Sequence, residues 1–413
     1  MRILILTHHR RFKAAWRCLS LARQLARRGH DVTMLCTADA ERFRMTEYVE
    51  DGVKIVEAPD LLVGSMRSGW DPYTIFRRMH WLKDAQFDLL HAFETRPASI
   101  YPALSLLKRR KVPFVIDWID WWGHGGLITE HRPRWYQIVF GGIETWYEEH
   151  FRTMADASTV IARGLGHRAE GLGVKTDSIF WIPNGCDPKL IEAVGDQNFR
   201  PKFGIPDNAF VAGFSALDVT LGVDTVFRAL SLLKDRYPNI RLLMTGKKDD
   251  SLMAAVDAAG VADNVTHLGF VDVEDYPKAL SCVDTFVVPF GDRIANAGRW
   301  PGRINDYLSL GIPIITNPVG EMSTLLASHK IGLLAPETPQ GFADALTTMI
   351  EYPDQRQRMG QIARDLAGSE LAWSTLIDRL EQAYTFAIDH AETSTIGAGR
   401  RHTRGTPANN PAP

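Results

Sequence analysis

Short apolar, β-branched segments alternate with amphipathic ones along most of this chain, and the whole pattern runs through twice. In the first half RILILT, DVTMLCT, VKIVEA, FDLLHAF, PFVIDWI, STVIA and SIFWIP read as strands. Helical periodicity separates them at 14–28, near 73–84 and 97–110, over 134–154 and around 164–172. Such alternation predicts parallel sheets with right-handed crossovers. IPNGCD is a turn-rich break and 187–206 a connection, after which the pattern restarts. FVAGFSA, IRLLMTG, VTHLGF and TFVVPF read as strands, with helices over 223–236, 250–259, 273–281 and 339–349. Residues 353–388 read as helix, long enough to cross back onto the first half. From about 391 the tail lacks apolar periodicity and is expected to be disordered. The expected organisation is therefore α/β: two doubly wound, Rossmann-like domains at 1–187 and 188–370, a returning helix at 371–390, and a tail at 391–413. Ligands of such sheets bind outside the carboxyl ends of the strands, so the two units predict a central cleft.

At 413 residues the chain is too long for one core, which fits two domains. Cys18, Cys36, Cys186 and Cys282 show no metal-site spacing and no disulfide framework, as expected in a reducing cytosol. No apolar run approaches the roughly 20 residues of a membrane span, and MRILILTHHRR carries no signal-peptide cleavage pattern. A net charge of −2 argues against nucleic acid as a partner. Residues 1–190 hold 27 Lys+Arg against 22 Asp+Glu, so the first half is the more basic. That half could face an anionic lipid or acceptor, though scatter in surface charge explains the imbalance about as well.

The most suggestive single segment is 299–316, RWPGRINDYLSLGIPIIT. Pro301 suits a first helical position, Gly311 the residue past a helix end, and Pro313 a stop. Arg299 and Arg303 flank the expected helix start and Asp306 sits one turn inside. Two guanidiniums at a helix end suit a diphosphate, and a carboxylate one turn deeper suits a ribose diol. A solvated helix start with ordinary surface arginines fits these residues equally well.

Over roughly residues 1–385 the chain resembles GT-B glycosyltransferases of the family 4 type. The likeness is carried by LSLARQLARRGHDVTMLCT, MADASTVIARGL, IPNGCD, VTHLGFVDVEDYPKALSCVDTFVVPF, the 299–316 segment and the turn PVGE. The resemblance implies a nucleotide-sugar donor on the C-terminal domain, an acceptor on the N-terminal domain, and no obligatory metal or other cofactor. In that family two glutamates eight positions apart hold the donor. Asp306 occupies the second position and Gly298 the first. Asn296, Arg299, Gly302, Arg303, Lys247 and Phe270 complete the expected donor set. The loop 215–222, where relatives carry Arg and Lys, has no base here, so either Lys247 and Lys248 replace them or diphosphate binding is weakened. Relatives also place a His-Asp or His-Glu pair after a strand like PFVIDWI; here Ile119 and Asp120 stand there. Asp117, Asp120 and His124 are thus the candidate catalytic groups. HHRRFK replaces the family's glycine pair and puts Arg10, Arg11 and Lys13 on the diphosphate or acceptor side.

Glycosyl transfer builds negative charge on the leaving group, and fixed positive charge there is the largest available help. Asp120 could orient or deprotonate an acceptor hydroxyl, or cap loop amides. Trp118, Trp121 and Trp122 could stack on a sugar or pack in the core. The acceptor would be a sugar, a lipid-linked saccharide or a small metabolite. The aromatic and basic mixture at 65–83, with LKRRK at 107–111, suits peripheral contact with an anionic membrane from the cytoplasmic side, or a loop packed on the sheet edge. A nucleotide-sugar epimerase of the same fold and a catalytically degenerate binding protein are the rivals to transfer.

Overall fold

A computed structural model describes residues 1–11, 15–187, 190, 194, 197–216 and 222–393. Lys13, the middle of the 215–222 loop and the tail beyond 393 lie outside the described residues. Two sheets organise the rest. The first holds β1 (Arg2–Arg10), β2 (Asp31–Thr37), β3 (Thr46–Glu50), β4 (Val53–Ala58), β5 (Leu89–Phe93), β6 (Phe114–Trp118), β7 (Ala157–Val160) and β8 (Ile179–Trp181), in the order β3-β4-β2-β1-β5-β6-β7-β8. The second holds β9 (Phe210–Ala216), β10 (Ile240–Gly246), β11 (Val265–His267), β12 (Thr285–Val288), β13 (Ile314–Thr316) and β14 (Gly332–Leu334), in the order β11-β10-β9-β12-β13-β14. The order reverses at β1/β5 and at β9/β12, and a crevice is expected at each of these points.

Both sheets are covered on both faces, and the residue alternation says why. Ile3 and Ile5 join the core shared with Leu19, Leu25, Leu380 and Tyr384. Leu4 and Leu6 face the opposite way, toward Ile100 and Leu106. A strand apolar on both sides cannot sit at a wet surface, so each sheet takes helices above and below.

The chain crosses between the sheets twice, side by side. Cys186 N donates to Leu371 O at 2.8 Å, and Gly185 lies flat against the Trp373 ring, where a Cβ would collide. The returning helix Trp373–Thr393 then closes the first domain, its Tyr384 hydroxyl 2.9 Å from His91 Nδ1.

Several boundaries differ from the pattern reading. β3 is exposed, antiparallel to β4 and at an edge, so TEYVE carries no apolar run to reveal it. Helix Gly320–His329 and the three-residue β14 were hidden because GEMSTLLASH has little apolar asymmetry. The stretch 353–388 is two helices, Pro353–Gly368 and Trp373–Thr393, broken where Leu371 plugs the core. Among the described residues no helix is long and apolar enough to cross a membrane.

Candidate functional site

The carboxyl ends of β9 and β12 open onto a cavity of about 460 Å³. Phe214, Ser215, Val287 and Val288 form its floor, with Tyr307 beneath, stacked on Phe286 at 3.5 Å between centroids. Arg293, Asn296, Arg299, Gly302 and Arg303 form its basic side. The helix there runs Arg303–Ser309, starting two residues later than Pro301 would allow. Seven residues align few peptide dipoles, so positive charge at this wall comes from the guanidiniums.

Each arginine is held differently. Arg299 donates to Asn296 Oδ1 at 3.0 Å and to Glu130 Oε2 at 2.9 Å. Arg293 lies 3.8 Å from the other oxygen of Glu130. Arg303 keeps a buried Nη1 with no hydrogen-bond partner among the described residues. A buried, unpaired N–H on a charged group is costly unless a ligand meets it. Asp306, half-buried next to Arg303, accepts from the Tyr276 hydroxyl at 3.1 Å. Burial pushes its carboxyl up to about 6, against the opposing pull of Tyr276 and Arg303.

The first domain reaches into this cavity by a route that sequence reading missed. After β6 the chain runs out through Trp121 and Trp122 to the short helix Leu127–His131. Glu130 from that helix bridges Arg293 and Arg299, and His131 lines the cavity. His131 lies parallel to Trp122, 6.1 Å between centroids. Nothing in local spacing marks residues 130 and 131 as partners of 293 and 299. His124, the imidazole expected from sequence, is instead exposed and pairs with Glu149 at 3.2 Å.

The remaining candidates take other positions. Asp117 is wholly buried, bonded to Arg17 at 3.1 Å and to Thr159 Oγ1, and holds the sheet to the crossing. The same Arg17 donates to Ile182 O, Pro183 O and Asn184 Oδ1. Arg11 is buried on Glu50 at 2.5 Å, which neutralises it. Lys247 pairs with Asp249 at 2.8 Å, and Phe270 is exposed after β11; neither lines the cavity. Arg10 ends β1 opposite Thr37. Trp122 is clasped between Arg96 and Arg132 and bonds Glu144, while Trp121 lies under Arg168, so both are packed in cation–π contacts.

Asp120 stays at the cleft edge. Burial raises its pKa, and the Arg299 charge across the cleft pulls the other way. Glu94, behind it, has a left-handed backbone (φ 64°) and accepts from Ile119 N at 2.7 Å and from Arg152 at 3.3 Å. Burial pushes its carboxyl up to about 7.

Gly298 explains its own departure from the family pattern. A Cβ there would lie 2.8 Å from Trp121 Cβ and 2.9 Å from Leu165 Cδ2. No glutamate fits while Trp121 occupies that space. Among the described residues no group of three or more His, Cys, Asp or Glu is placed to hold a metal ion.

Known proteins resemble this chain in sequence family and in fold. Residues 14–185 match the family described as "Glycosyl transferase 4-like domain", and residues 196–366 match "Glycosyl transferases group 1". The phosphatidyl-myo-inositol mannosyltransferase of Mycolicibacterium smegmatis is 25% identical over 357 residues, 84% of this chain and 82% of that one. The D-inositol 3-phosphate glycosyltransferase of Paenarthrobacter aurescens is 26% identical over 225 residues, 52% of this chain and 53% of its own length. Sucrose-phosphate synthase from Thermosynechococcus elongatus superposes with a TM-score of 0.73 at 16% identity, covering 93% of this chain and 98% of that one. WaaG, a glycosyltransferase involved in lipopolysaccharide biosynthesis, superposes at 0.68 and 16% identity, covering 93% and 99%. These structures share the GT-B fold with this chain.

Proposed function

This chain belongs to the group 1 glycosyltransferases of GT-B fold, and we propose that it moves a hexosyl group from a nucleotide-diphosphate sugar to a hydroxyl acceptor, with retention. The observation that carries the donor class is the orphan Nη1 of Arg303, buried beside a cavity that Arg293 and Arg299 also line. Three guanidiniums on one wall suit a diphosphate, whose charge grows as the glycosidic bond breaks. They would carry the leaving-group charge without a metal. Asp306 takes the ribose, and Asn296 and Gly302 line the diphosphate's path. Solved structures of the same fold bind UDP and UDP-glucose, which supports a donor of UDP or GDP type.

Besides Glu130, which pairs with Arg293 and Arg299, His131 and Asp120 are the first-domain groups assigned to this wall. His131 replaces the imidazole missing at Ile119 and would hydrogen-bond the departing phosphate. Asp120 would orient the acceptor hydroxyl. The acceptor is a polyol, a saccharide or a lipid-linked headgroup, consistent with the inositol-bearing acceptors in the names of two relatives. Four buried free cysteines go with a reducing, cytoplasmic site of action, and a lipid-linked acceptor would put that site at the inner face of the membrane.

Thermal-shift screening of the purified chain against UDP, GDP, ADP and their sugars tests the donor assignment, since a ligand that binds only the folded state raises its melting point. One diphosphate series should stabilise wild type and fail on Arg303→Ala. No stabilisation by any of them would sink the assignment. Donor incubated without acceptor should return unchanged; epimerised donor would point to an epimerase.

A further inference from the structure

Helix Arg134–His150 is inside out. Trp135, Ile138, Val139, Ile143 and Trp146 fall at i, i+3, i+4, i+8 and i+11, one stripe of a helix. Their exposures are 63%, 84%, 59%, 49% and 45%. The opposite face carries the charge: Glu144 is buried on Arg96 at 2.9 Å and Glu148 on Arg168 at 3.0 Å. A helix that sends its carboxylates inward and two indoles, two isoleucines and a valine outward has no reason to do so in water.

Exposed bases stand on this helix and on its neighbour. Arg134 is exposed at the start of the stripe. Helix Pro97–Arg109 packs alongside, its Tyr101 hydroxyl 2.6 Å from that of Tyr147, and ends in the exposed Lys108 and Arg109. One carboxylate, Glu149, falls at the far end of this face, where it is paired with Arg168 at 2.7 Å and with His124 at 3.2 Å. An apolar face with an indole near each end, and exposed bases on the same helix and its neighbour, suits a bilayer interface with anionic headgroups.

We propose that the outward face of helix Arg134–His150 is the surface by which this protein lies on an anionic membrane. The proposal gives the membrane-face placement its surface and rests on that placement alone, not on the transfer chemistry. The helix begins three residues after His131, at the rim of the cavity. A headgroup in the leaflet would therefore be delivered at the edge of the cleft. Within 65–83, the other segment considered for membrane contact, Arg78 is fully buried.

The test is co-sedimentation of the full chain with vesicles of phosphatidylglycerol and phosphatidylcholine, compared with phosphatidylcholine alone. Wild type should bind the anionic vesicles at least about tenfold more tightly, with affinity falling as salt rises. Ile138→Asp combined with Ile143→Asp should abolish binding while leaving the melting point and UDP affinity unchanged. Lys108→Glu with Arg109→Glu should remove the preference for phosphatidylglycerol. As a measurement independent of the aspartate variant's folding, brominated lipid should quench wild-type tryptophan fluorescence, and less so in Trp135→Phe. Absence of vesicle binding, or binding indifferent to Ile138→Asp, overturns the proposal. So does a wild-type dimer in sedimentation velocity that Ile138→Asp dissolves, because the stripe would then belong to a second copy. A chain that binds vesicles but transfers nothing leaves this surface standing and removes the enzymatic reading.

Discussion

The two walls of the cleft differ in what their charges face. On the first domain Asp117, Glu94 and Glu148 are answered by Arg17, Arg152 and Arg168, within 3.1, 3.3 and 3.0 Å. Those carboxylates are held in an ionic lattice, although Arg96 Nη1 on the same domain also keeps no partner among the described residues. On the second domain Arg303 retains an unanswered N–H, and Arg299 and Arg293 are answered only from across the gap, by Glu130. One wall is organised to hold itself, the other to hold something else. Charged residues pointing at a cleft therefore do not identify a site by their number; what matters is whether their hydrogen-bonding capacity is already used.

The comparison breaks first if the lattice is not structural. Arg17→Ala leaves Asp117 buried without its cation and should lower the unfolding free energy by about 3–5 kcal/mol, read as a fall in the urea midpoint, with UDP affinity of the folded protein intact. Lost affinity at unchanged stability would mean that the lattice is part of the site. Arg303→Ala should do the reverse. Removing a hydrogen bond from a charged group costs about 1.5–3 kcal/mol, so calorimetry should show nucleotide diphosphate binding weakened about 10- to 100-fold with little change in melting temperature.

Gly298→Glu restores the family carboxylate into space held by Trp121. Overpacking of this kind costs about 1–3 kcal/mol, so the variant should melt lower and gain no donor affinity; adding Leu165→Ala, which removes the Cδ2 and Cγ contacts, should recover part of the loss. Glu94 gives the lattice a pH signature. Its folded pKa, near 7, lies above the ordinary 4.5, so the folded state holds the proton more tightly. Its contribution is full at low pH and is lost as pH rises through 7. Melting temperatures from pH 5 to 8 should fall more steeply for wild type than for Glu94→Gln. The smallest effect belongs to Glu130→Gln, which frees Arg299 and Arg293 from a partly exposed pair worth about 0–1 kcal/mol. UDP should bind about two- to fivefold more tightly; unchanged affinity would place the two arginines outside the diphosphate site.

Much of this was legible in the sequence because period and punctuation act locally. The strands and most helices follow from apolar spacing, and Gly311 and Pro313 mark the end of the helix that bears Asp306. The side on which a helix faces the protein is not local. Residues 134–150 show a clear 3.6-residue period, yet the period alone cannot say that the apolar side looks outward. Likewise Asp117 and Asp120 are three residues apart in the sequence and look equivalent. β6 carries Asp117 into the core and ends before Asp120, which separates a strut from a group at the cleft edge. Glu130 and Arg299 meet across 169 positions, a distance over which spacing carries no signal.

The returning helix has a consequence for how the protein is made. Leu376, Leu380 and Tyr384 cover the same core face as Ile3 and Leu19. Strand β8 ends at Trp181, but its domain stays open on that face until the last helix leaves the ribosome. At 5–20 residues per second that is a wait of roughly 10–40 s. During it, a half-finished sheet with a bare apolar side is present in the cell, so nascent chains should draw chaperones. Truncations before residue 373 should aggregate even though both sheets are complete.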